Sequence, residues 1–302
     1  MALSYIGGKS RIGTWIRNYI PKDIETYVEP FSGMFWVFFK MELSIYKNIK
    51  TVVYNDSNPL NVNLFNCIKE YEQFYEVIKD YKSQDKKLFE KFQKEIFHPD
   101  FKVDLTTPDF QTASKYAYIL SQVWSGTNPE KSKFIDLKGK YKSKFDSFVN
   151  KLKNPKWQKY FDKITICENL DFEDVIKKYD SEKTYFYCDP PYYKTEKYYA
   201  NHEFGLETHE RLADSLKSIT GKFSLSYYYF DQLDEWFLRE EYRWQSKEFT
   251  KAAMAKAGKS QTVGVELLIM NYGEIQKREV IEETSTNDSI DDSIDDDFDF
   301  SI

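Results

Sequence analysis

Hydrophobic patterning along the chain predicts strands that alternate with helices. Two short apolar runs, "TYVEPF" at residues 26–31 and "TVVY" at residues 51–54, have the length and composition of strands, and each is followed by a turn. Two longer runs, "FWVFFKMEL" at 35–43 and "LNVNLFNCIKEYEQFYEVI" at 60–78, have the length of helices. This order predicts an α/β domain with a mainly parallel sheet, whose ligands bind beyond the carboxyl ends of the strands.

The same pattern returns in the second half of the chain. Further strands are predicted at "KITICENL" (163–170), "TYFYCD" (184–189), "KFSLSYY" (222–228) and "VELLIMNY" (265–272), and "LETHERLADSLKSI" (206–219) has helical periodicity. Residues 70–160 are Lys-rich and poor in strand-like runs. We therefore predict a catalytic domain made of residues 1–69 and 161–283, a mostly helical inserted module at 70–160, and a disordered acidic tail at 284–302.

Charge is distributed unevenly over the 302 residues. The formal charge is −6, but the last 19 residues contain seven Asp and no Lys or Arg, so the rest of the chain carries +1. Lysines interleave with aromatic residues at 81–97 and 138–163. This pattern is typical of phosphate contacts combined with base stacking, and it also fits a solvated helical face. The tail either keeps the protein soluble, competes with a nucleic acid for the basic insertion, or docks a protein partner through Phe298 and Phe300.

Composition narrows the class of protein. No apolar run approaches the roughly 20 residues that cross a bilayer, and the N-terminus does not resemble a signal peptide. The three Cys residues are widely spaced without a CxxC pair, and none of the three His residues clusters with them. We therefore expect a cytoplasmic protein without a disulfide framework, a bound metal or a membrane partner.

The stretch "CDPPYY" at residues 188–193 carries the most specific chemistry. Pro190 and Pro191 end the preceding strand and hold Asp189 in an extended conformation. The Asp189 carboxylate and the Pro190 carbonyl can each accept one hydrogen of an exocyclic amino group, and Tyr192 offers a flat face to the attached base. Three fixed groups thus suit one planar amine.

A second candidate site lies at "EPFSGM", residues 29–34. Gly33 allows the backbone to approach a ligand at the start of the predicted helix, where free N–H groups are available. Asp56 follows the second strand, where α/β proteins hold the ribose hydroxyls of an adenosine-type ligand. Each feature alone is also typical of an ordinary turn.

The order of these motifs resembles a known family. "YIGGKSRI" (5–12), "YVEPFSGM" (27–34), an insertion and then "DPPY" (189–192) are similar to the Dam-like (alpha-class) adenine-N6 DNA methyltransferases, over about residues 4–273. The resemblance implies a Rossmann-like S-adenosylmethionine-dependent methyltransferase sheet with an inserted target-recognition module. It also implies site-specific methylation of adenine N6 in double-stranded DNA, with base flipping, in a prokaryotic or virus-infected cell.

The resemblance also implies roles for individual residues. The cofactor S-adenosyl-L-methionine is expected to contact Tyr5, Lys9, Phe31, Gly33, Asp56, Asn169, Leu170 and Asp189. The predicted catalytic residues are Asp189, Pro190, Pro191 and Tyr192, and the predicted DNA contacts are Asn128, Lys131, Lys133, Lys138 and Lys140. Two departures stand out: Phe35 occupies a position near which the family has a small residue, and the insertion loop lacks the Arg of members that recognise GATC.

Three alternatives remain open at the level of sequence. Cytosine-N4 methylation involves a similar amine, although Asp189 and the motif order favour adenine. Nucleotide hydrolysis would use "AMAKAGKS" at residues 253–260, but no apolar strand precedes this segment, as a phosphate-binding loop requires. The third is a DNA-binding relic of the family without catalysis.

Overall fold

One sheet organises the chain. The structure is a computed structural model that describes residues 3, 8–9, 11–124, 128–137, 143–193, 204–250 and 263–275. Within these ranges the strands are β1 (Thr26–Glu29), β2 (Thr51–Asn55), β3 (Ile166–Glu168), β4 (Thr184–Cys188), β5 (Lys222–Tyr227), β6 (Arg243–Thr250) and β7 (Val263–Met270). Their spatial order is β3-β2-β1-β4-β5-β7-β6. All neighbours are parallel except that β7 runs antiparallel to both β5 and β6.

Both faces of the sheet are buried, which explains why its central strands are apolar throughout. Successive side chains of a strand point to opposite faces. On β4, Tyr185 and Tyr187 belong to one hydrophobic cluster, and Phe186 and Cys188 belong to the other. Parallel strands covered on both sides read as continuous apolar runs. The predicted mainly parallel α/β sheet is confirmed.

Helices cover the two faces as separate layers. One face packs against α1 (Gly13–Ile16), α2 (Pro59–Lys69), α3 (Tyr71–Ile78), α4 (Lys86–Ile96), α5 (Phe110–Ser121), α6 (Lys144–Leu152) and α7 (Pro155–Phe161). The other packs against α8 (Phe172–Tyr179), α9 (Leu206–Ser218) and α10 (Gln232–Trp236). Side-chain caps begin many of these helices, as where Asn58 accepts a hydrogen bond from the Leu60 N–H and Pro59 takes the first helical position. None of the helices in the described ranges has both the length and the apolar character needed to cross a membrane.

Within its described residues, the predicted insertion at 70–160 contains helices joined by non-helical segments, and no strand. It contributes α3 to α7, and Phe74, Phe89 and Phe148 from these helices join the hydrophobic cluster under the sheet. The insertion therefore packs as a continuation of the core. The division at residues 69 and 160 stays a prediction.

The helix predicted at residues 35–43 is wrong. Only a short 3-10 segment, Phe38–Lys40, forms there. Phe35 has φ 55°, in the left-handed region that bulky residues avoid, and this conformation interrupts any helix. Its buried ring stacks on Phe38 with centroids 4.6 Å apart and meets Tyr54 edge-on at 5.3 Å. These aromatic side chains pack in several directions and not along one face of a helix. The predicted α-helix after Gly33 therefore does not form.

Smaller differences affect several other elements, and helices α1 and α10 had no prediction. The helix predicted at 60–78 is two helices, because Glu70 between α2 and α3 has non-helical angles (φ −99°, ψ 48°). Strand β6 and helix α8 had no prediction. The segment at 253–260 and the acidic tail at 284–302 lie outside the described residues.

Candidate active site

A cavity opens where the strand order changes direction. The chain adds β2 and β3 on one side of β1, then adds β4 and β5 on the other side. Such a switch point leaves a crevice beyond the carboxyl ends of the two central strands. The crevice is a cavity of about 1070 Å³. Among the predicted cofactor residues it is lined by Lys9, Phe31, Gly33, Asp56, Asn169, Leu170 and Asp189.

The loop after β1 is tied to the end of β2 through one carboxylate. Gly33 has φ 49°, and its N–H donates to Asp56 Oδ2 at 2.9 Å. The Asn58 N–H donates to Asp56 Oδ1 at 2.8 Å, and the Tyr54 hydroxyl donates to the Gly33 carbonyl at 2.8 Å. Asp56 also lines the cavity, so its carboxylate both fixes the loop after β1 and faces the space where a ligand would bind.

The segment after β3 forms the next wall of the cavity. The Asn169 side chain donates to the Asp56 carbonyl at 2.7 Å, and the Leu170 N–H donates to the buried side chain of Asn55 at 3.0 Å. Phe31 packs against Phe172, with ring centroids 5.5 Å apart. The result is an apolar, aromatic surface beside a carboxylate, which suits a nucleoside.

Asp189 lies on the opposite wall, directly after β4. Its side chain is 17% exposed, and its Oδ1 atom lies 2.8 Å from the Lys9 ammonium. Burial raises the pKa of Asp189 above its usual range, and the charge of Lys9 opposes that rise. Pro191 lines the cavity, whereas Pro190 is buried. The prolines thus present the carboxylate at the edge of the opening, as predicted for the end of a strand.

Tyr192 is more enclosed than the sequence suggests. It is 8% exposed, and the Lys9 ammonium lies over its ring, 4.6 Å from the centroid. Its hydroxyl is 3.2 Å from Asp189 Oδ1. A base that stacks on this face of the ring must therefore displace Lys9. The stacking role of Tyr192 stays a prediction.

Glu266 joins the same group, although the sequence analysis did not select it. It is 1% exposed, its Oε1 atom lies 3.3 Å from the Lys9 ammonium, and it accepts a hydrogen bond from the Tyr192 hydroxyl. Because β7 runs antiparallel, the beginning of this strand lies at the carboxyl edge of the sheet. Burial raises the pKa of Glu266; the charge of Lys9 opposes that rise, and the Asp189 charge adds to it. We call Lys9, Asp189, Tyr192 and Glu266 the Lys9 network.

Comparison with known proteins identifies the chain at the level of family. The family model of the D12 class N6 adenine-specific DNA methyltransferases matches residues 5–252. This chain belongs to that family. The predicted methyltransferase class and its adenine specificity are confirmed, and the cytosine-N4 alternative is not supported.

The chain is also similar to two DNA methyltransferases of other organisms. The Type II methyltransferase M.CviBI of Paramecium bursaria Chlorella virus NC1A is 24% identical over 227 residues, which cover 73% of this chain and 79% of that protein. The DNA adenine methylase of Haemophilus influenzae is 27% identical over 242 residues, which cover 72% of this chain and 74% of that protein. Both alignments extend over most of each protein.

DNA methyltransferases generally use S-adenosylmethionine, and the cavity fits the chemistry of this cofactor. The aromatic wall at Phe31 and Phe172 suits the adenine ring, and Asp56 can accept from the ribose hydroxyls. Lys9 can bind the methionine carboxylate, and Asp189 can bind its ammonium group. Within the described ranges, no group of three or more His, Cys, Asp or Glu side chains is arranged to hold a metal ion.

The predicted DNA contacts of the methyltransferase do not all lie at the cavity. Asn128 lines the same cavity as Asp189, and its side chain accepts from the Glu130 N–H at 2.9 Å. Lys131 and Lys133 are exposed on the same segment. Tyr5, Lys138 and Lys140 lie outside the described residues. The roles assigned to all of these residues stay predictions.

The cavity also holds a buried acid that the sequence analysis passed over. Glu29, within "EPFSGM", is 2% exposed and accepts from the Tyr27 hydroxyl at 2.6 Å and the Phe38 N–H at 3.3 Å. Burial raises its pKa well above the usual range for Glu. The only sequence signal for Glu29 or Glu266 is a single acidic residue inside an otherwise apolar strand.

Proposed function

We propose that this methyltransferase transfers the methyl group of S-adenosylmethionine to N6 of a specific adenine in double-stranded DNA, after that base has rotated out of the helix. The observation that carries the proposal is the position of Asp189. It lies at the carboxyl end of β4, in the same cavity as Gly33, Asp56 and Asn169. An acceptor for the target amine and the groups suited to a nucleoside cofactor therefore face one space.

Cofactor binding is assigned to the side of the cavity formed by β1, β2 and β3. In this proposal Asp56 accepts from the ribose hydroxyls, Asn169 and Leu170 flank the adenine, and Phe31 packs beside them. Tyr5 and Lys9 complete the site from the N-terminal segment. Bound there, S-adenosylmethionine supplies an electrophilic methyl group on a positively charged sulfur.

Asp189 and the Pro190 carbonyl orient the amino group of the target adenine. The N6 lone pair is delocalised into the ring, so the free amine is a poor nucleophile. Two acceptors that hold both N6 hydrogens turn the lone pair towards the methyl carbon, which is catalysis by positioning and electrostatics. The new N–C bond forms as the S–C bond breaks, and the electron pair of that bond stays on sulfur.

Proton loss follows methyl transfer. An Asp carboxylate, with an ordinary pKa of about 3.9, is too weak a base to deprotonate a neutral amine. Once N6 has gained the methyl group it carries positive charge and becomes acidic, and the Asp189 carboxylate can then accept its proton. Burial raises the pKa of Asp189, which makes the carboxylate a better acceptor at that step.

The DNA side of the proposal concerns Tyr192 and the insertion. Extrusion of a base costs a few kcal/mol, and stacking on an aromatic ring recovers about 1–3 kcal/mol. Tyr192 supplies that ring once Lys9 has moved from its face. Asn128, Lys131, Lys133, Lys138 and Lys140, within the target-recognition module at 70–160, contact the duplex around the extruded base.

The test is to remove the carboxylate at position 189. We expect Asp189→Ala to lower the rate of N6-methyladenine formation by at least about a hundredfold, because it removes an acceptor that acts on the reacting amine. Mass spectrometry of nucleosides from methylated genomic DNA measures the product and detects N4-methylcytosine in the same digest. Asp174→Ala, which removes an exposed carboxylate on α8, is the matched control. Normal adenine methylation by Asp189→Ala would contradict the role assigned to Asp189. An inactive wild type would support the alternative of a DNA-binding relic without catalysis.

A further inference from the structure

The Lys9 network contains more carboxylate than the proposed chemistry needs. One ammonium, Lys9, lies between two carboxylates: it is 2.8 Å from the half-buried Asp189 and 3.3 Å from the buried Glu266. The hydroxyl of Tyr192 contacts both carboxylates. Asp189 has a direct role in the proposed reaction, whereas Glu266 has none. Burying a carboxylate costs free energy unless the group is paired, so we looked for a function of Glu266.

Strand register, and not an accident of packing, places Glu266 in the site. Along β7, Val263 and Val265 are exposed, while Gly264 and Glu266 are buried. The next residue, Leu267, pairs with Tyr227 at the carboxyl end of β5. Glu266 therefore points from the edge of the sheet into the interior beside Asp189. An apolar side chain there would leave Lys9 with a single carboxylate.

Lys9 occupies the positions that the target base needs. It is bonded to Asp189, which must bind the amine, and it lies over the Tyr192 ring, on which the base must stack. When the base enters, the ammonium has to leave both positions. Glu266 already contacts Lys9, so it can keep the ammonium paired during this exchange.

We propose that Glu266 is a positioning residue of methyl transfer: it retains the Lys9 ammonium and anchors the Tyr192 hydroxyl while Asp189 exchanges Lys9 for the adenine amino group. This inference rests on the proposed function. Glu266 acts through Lys9 and Tyr192, and it does not itself contact the reacting atoms. Its loss should therefore slow the step after substrate binding more than it weakens cofactor binding.

The first experiment compares Glu266→Gln with the wild type. Gln keeps the shape and one acceptor oxygen but removes the charge that holds Lys9. Steady-state methylation is measured on genomic DNA with radiolabelled S-adenosylmethionine. We expect kcat to fall about 10–100-fold, which is less than the roughly 100–1,000-fold loss caused by removing a donor to the reacting atoms, because Glu266 does not contact those atoms. The KM for S-adenosylmethionine should change by a smaller factor than kcat, because Glu266 reaches the cofactor only through Lys9. Glu248→Gln, an exposed acid on the neighbouring strand β6, is the matched control and should behave as wild type.

A second variant tests the link to Tyr192 and remains usable if Glu266→Gln does not fold. Tyr192→Phe keeps the stacking ring and removes only the hydroxyl, which contacts both Glu266 and Asp189, so kcat should again fall. In the double variant the two losses should combine to less than their product, because both remove one shared contact. This coupling separates positioning from a merely structural role, which would change the thermal midpoint and leave kcat unaltered.

The outcomes separate the inference from the function on which it rests. If the wild type methylates adenine and Glu266→Gln has a kcat within twofold of it, the role of Glu266 is refuted and the proposed function stands. Unchanged kcat in Tyr192→Phe, or fully multiplicative losses in the double variant, refutes the anchoring of Tyr192. A wild type that forms no N6-methyladenine would refute the proposed function, and the inference with it.

Discussion

The two sides of the cavity are built from different interactions. On the side of β1 and β2, neutral backbone N–H groups of Gly33 and Asn58 fix a single carboxylate, Asp56. On the side of β4, β5 and β7, charged side chains contact one another in the Lys9 network. Backbone bonds allow one arrangement of the first side. Side chains can exchange partners on the second side, which is where the proposed function places the target base. In the proposed function, the fixed side holds the nucleoside part of the cofactor, and the side chains of the second side meet its methionine part and the target base.

Removal of the Lys9 ammonium from the Lys9 network should have the largest effect on stability. Lys9→Met keeps the length of the side chain but leaves Asp189 and Glu266 without their ammonium, and breaking a buried pair in this way costs about 3–5 kcal/mol. The pKa values of both acids are already raised and should rise further. A raised folded-state pKa favours the folded state at low pH, and that contribution is lost as pH rises through the folded-state pKa. The deficit should therefore grow with pH.

Urea unfolding at pH 5 and pH 9 measures this deficit directly. Lys87→Met, at an exposed position on α4, controls for the loss of one positive charge from the chain. A deficit that is the same at both pH values would show that Lys9 does not balance the buried acids, and the contrast between the two sides would fail.

The rigid side is tested by Asp56→Ala. This change removes the acceptor of the Gly33 and Asn58 N–H groups. We expect the free energy of unfolding to fall by about 1–3 kcal/mol, because water in the cavity can replace only part of the lost hydrogen bonding. The affinity for S-adenosylmethionine, measured by calorimetry, should fall as well, since the loop after β1 is released. Asp56→Asn retains one acceptor oxygen, so its stability and its affinity for S-adenosylmethionine should both fall less. Equal losses in the two variants would mean that the charge of Asp56, and not its geometry, matters.

The smallest effect concerns the backbone of the cofactor loop. Phe35 adopts φ 55°, a left-handed conformation that costs a residue with a Cβ atom about 1–2 kcal/mol. Phe35→Gly and Phe35→Ala both lose the ring, so the difference between them isolates this strain. We expect the Gly variant to be the more stable by about 1 kcal/mol, the reverse of the usual order. Thermal unfolding compares the two, and a more stable Ala variant would show that ring packing imposes no strain.

Local sequence patterns were sufficient for the central strands and for the placement of Asp189. Strands β1, β2 and β4 are apolar on both faces, and the two prolines after Asp189 mark where β4 ends. The helix expected at 35–43 failed because its aromatic side chains pack in several directions, which no periodicity reveals. Strand β6 was missed because its sequence, "RWQSKEFT", is mostly polar. Such a composition suits a strand at the edge of a sheet.

The position of Glu266 could not be predicted for a different reason. Its role depends on β7 lying beside β5 and running in the opposite direction, which is a long-range property of the fold. The sequence shows only one acid in an apolar strand. In the same way, the contact of Lys9 with Asp189 joins residues that are far apart in the chain, and only the family resemblance suggested that Lys9 lies near the cofactor.

The antiparallel pairing of β7 at the edge of the sheet has a consequence for the position of Glu266. Among the described strands, β6 pairs with β7 alone, and Lys247 lies opposite Glu266 in their ladder. Because side chains alternate between faces, a slip of one residue in β7 would turn the carboxylate towards the far surface and bring a neutral aliphatic residue inward. The second carboxylate beside Lys9 thus depends on the hydrogen-bond register of β7, a strand two positions away from β4 in the sheet.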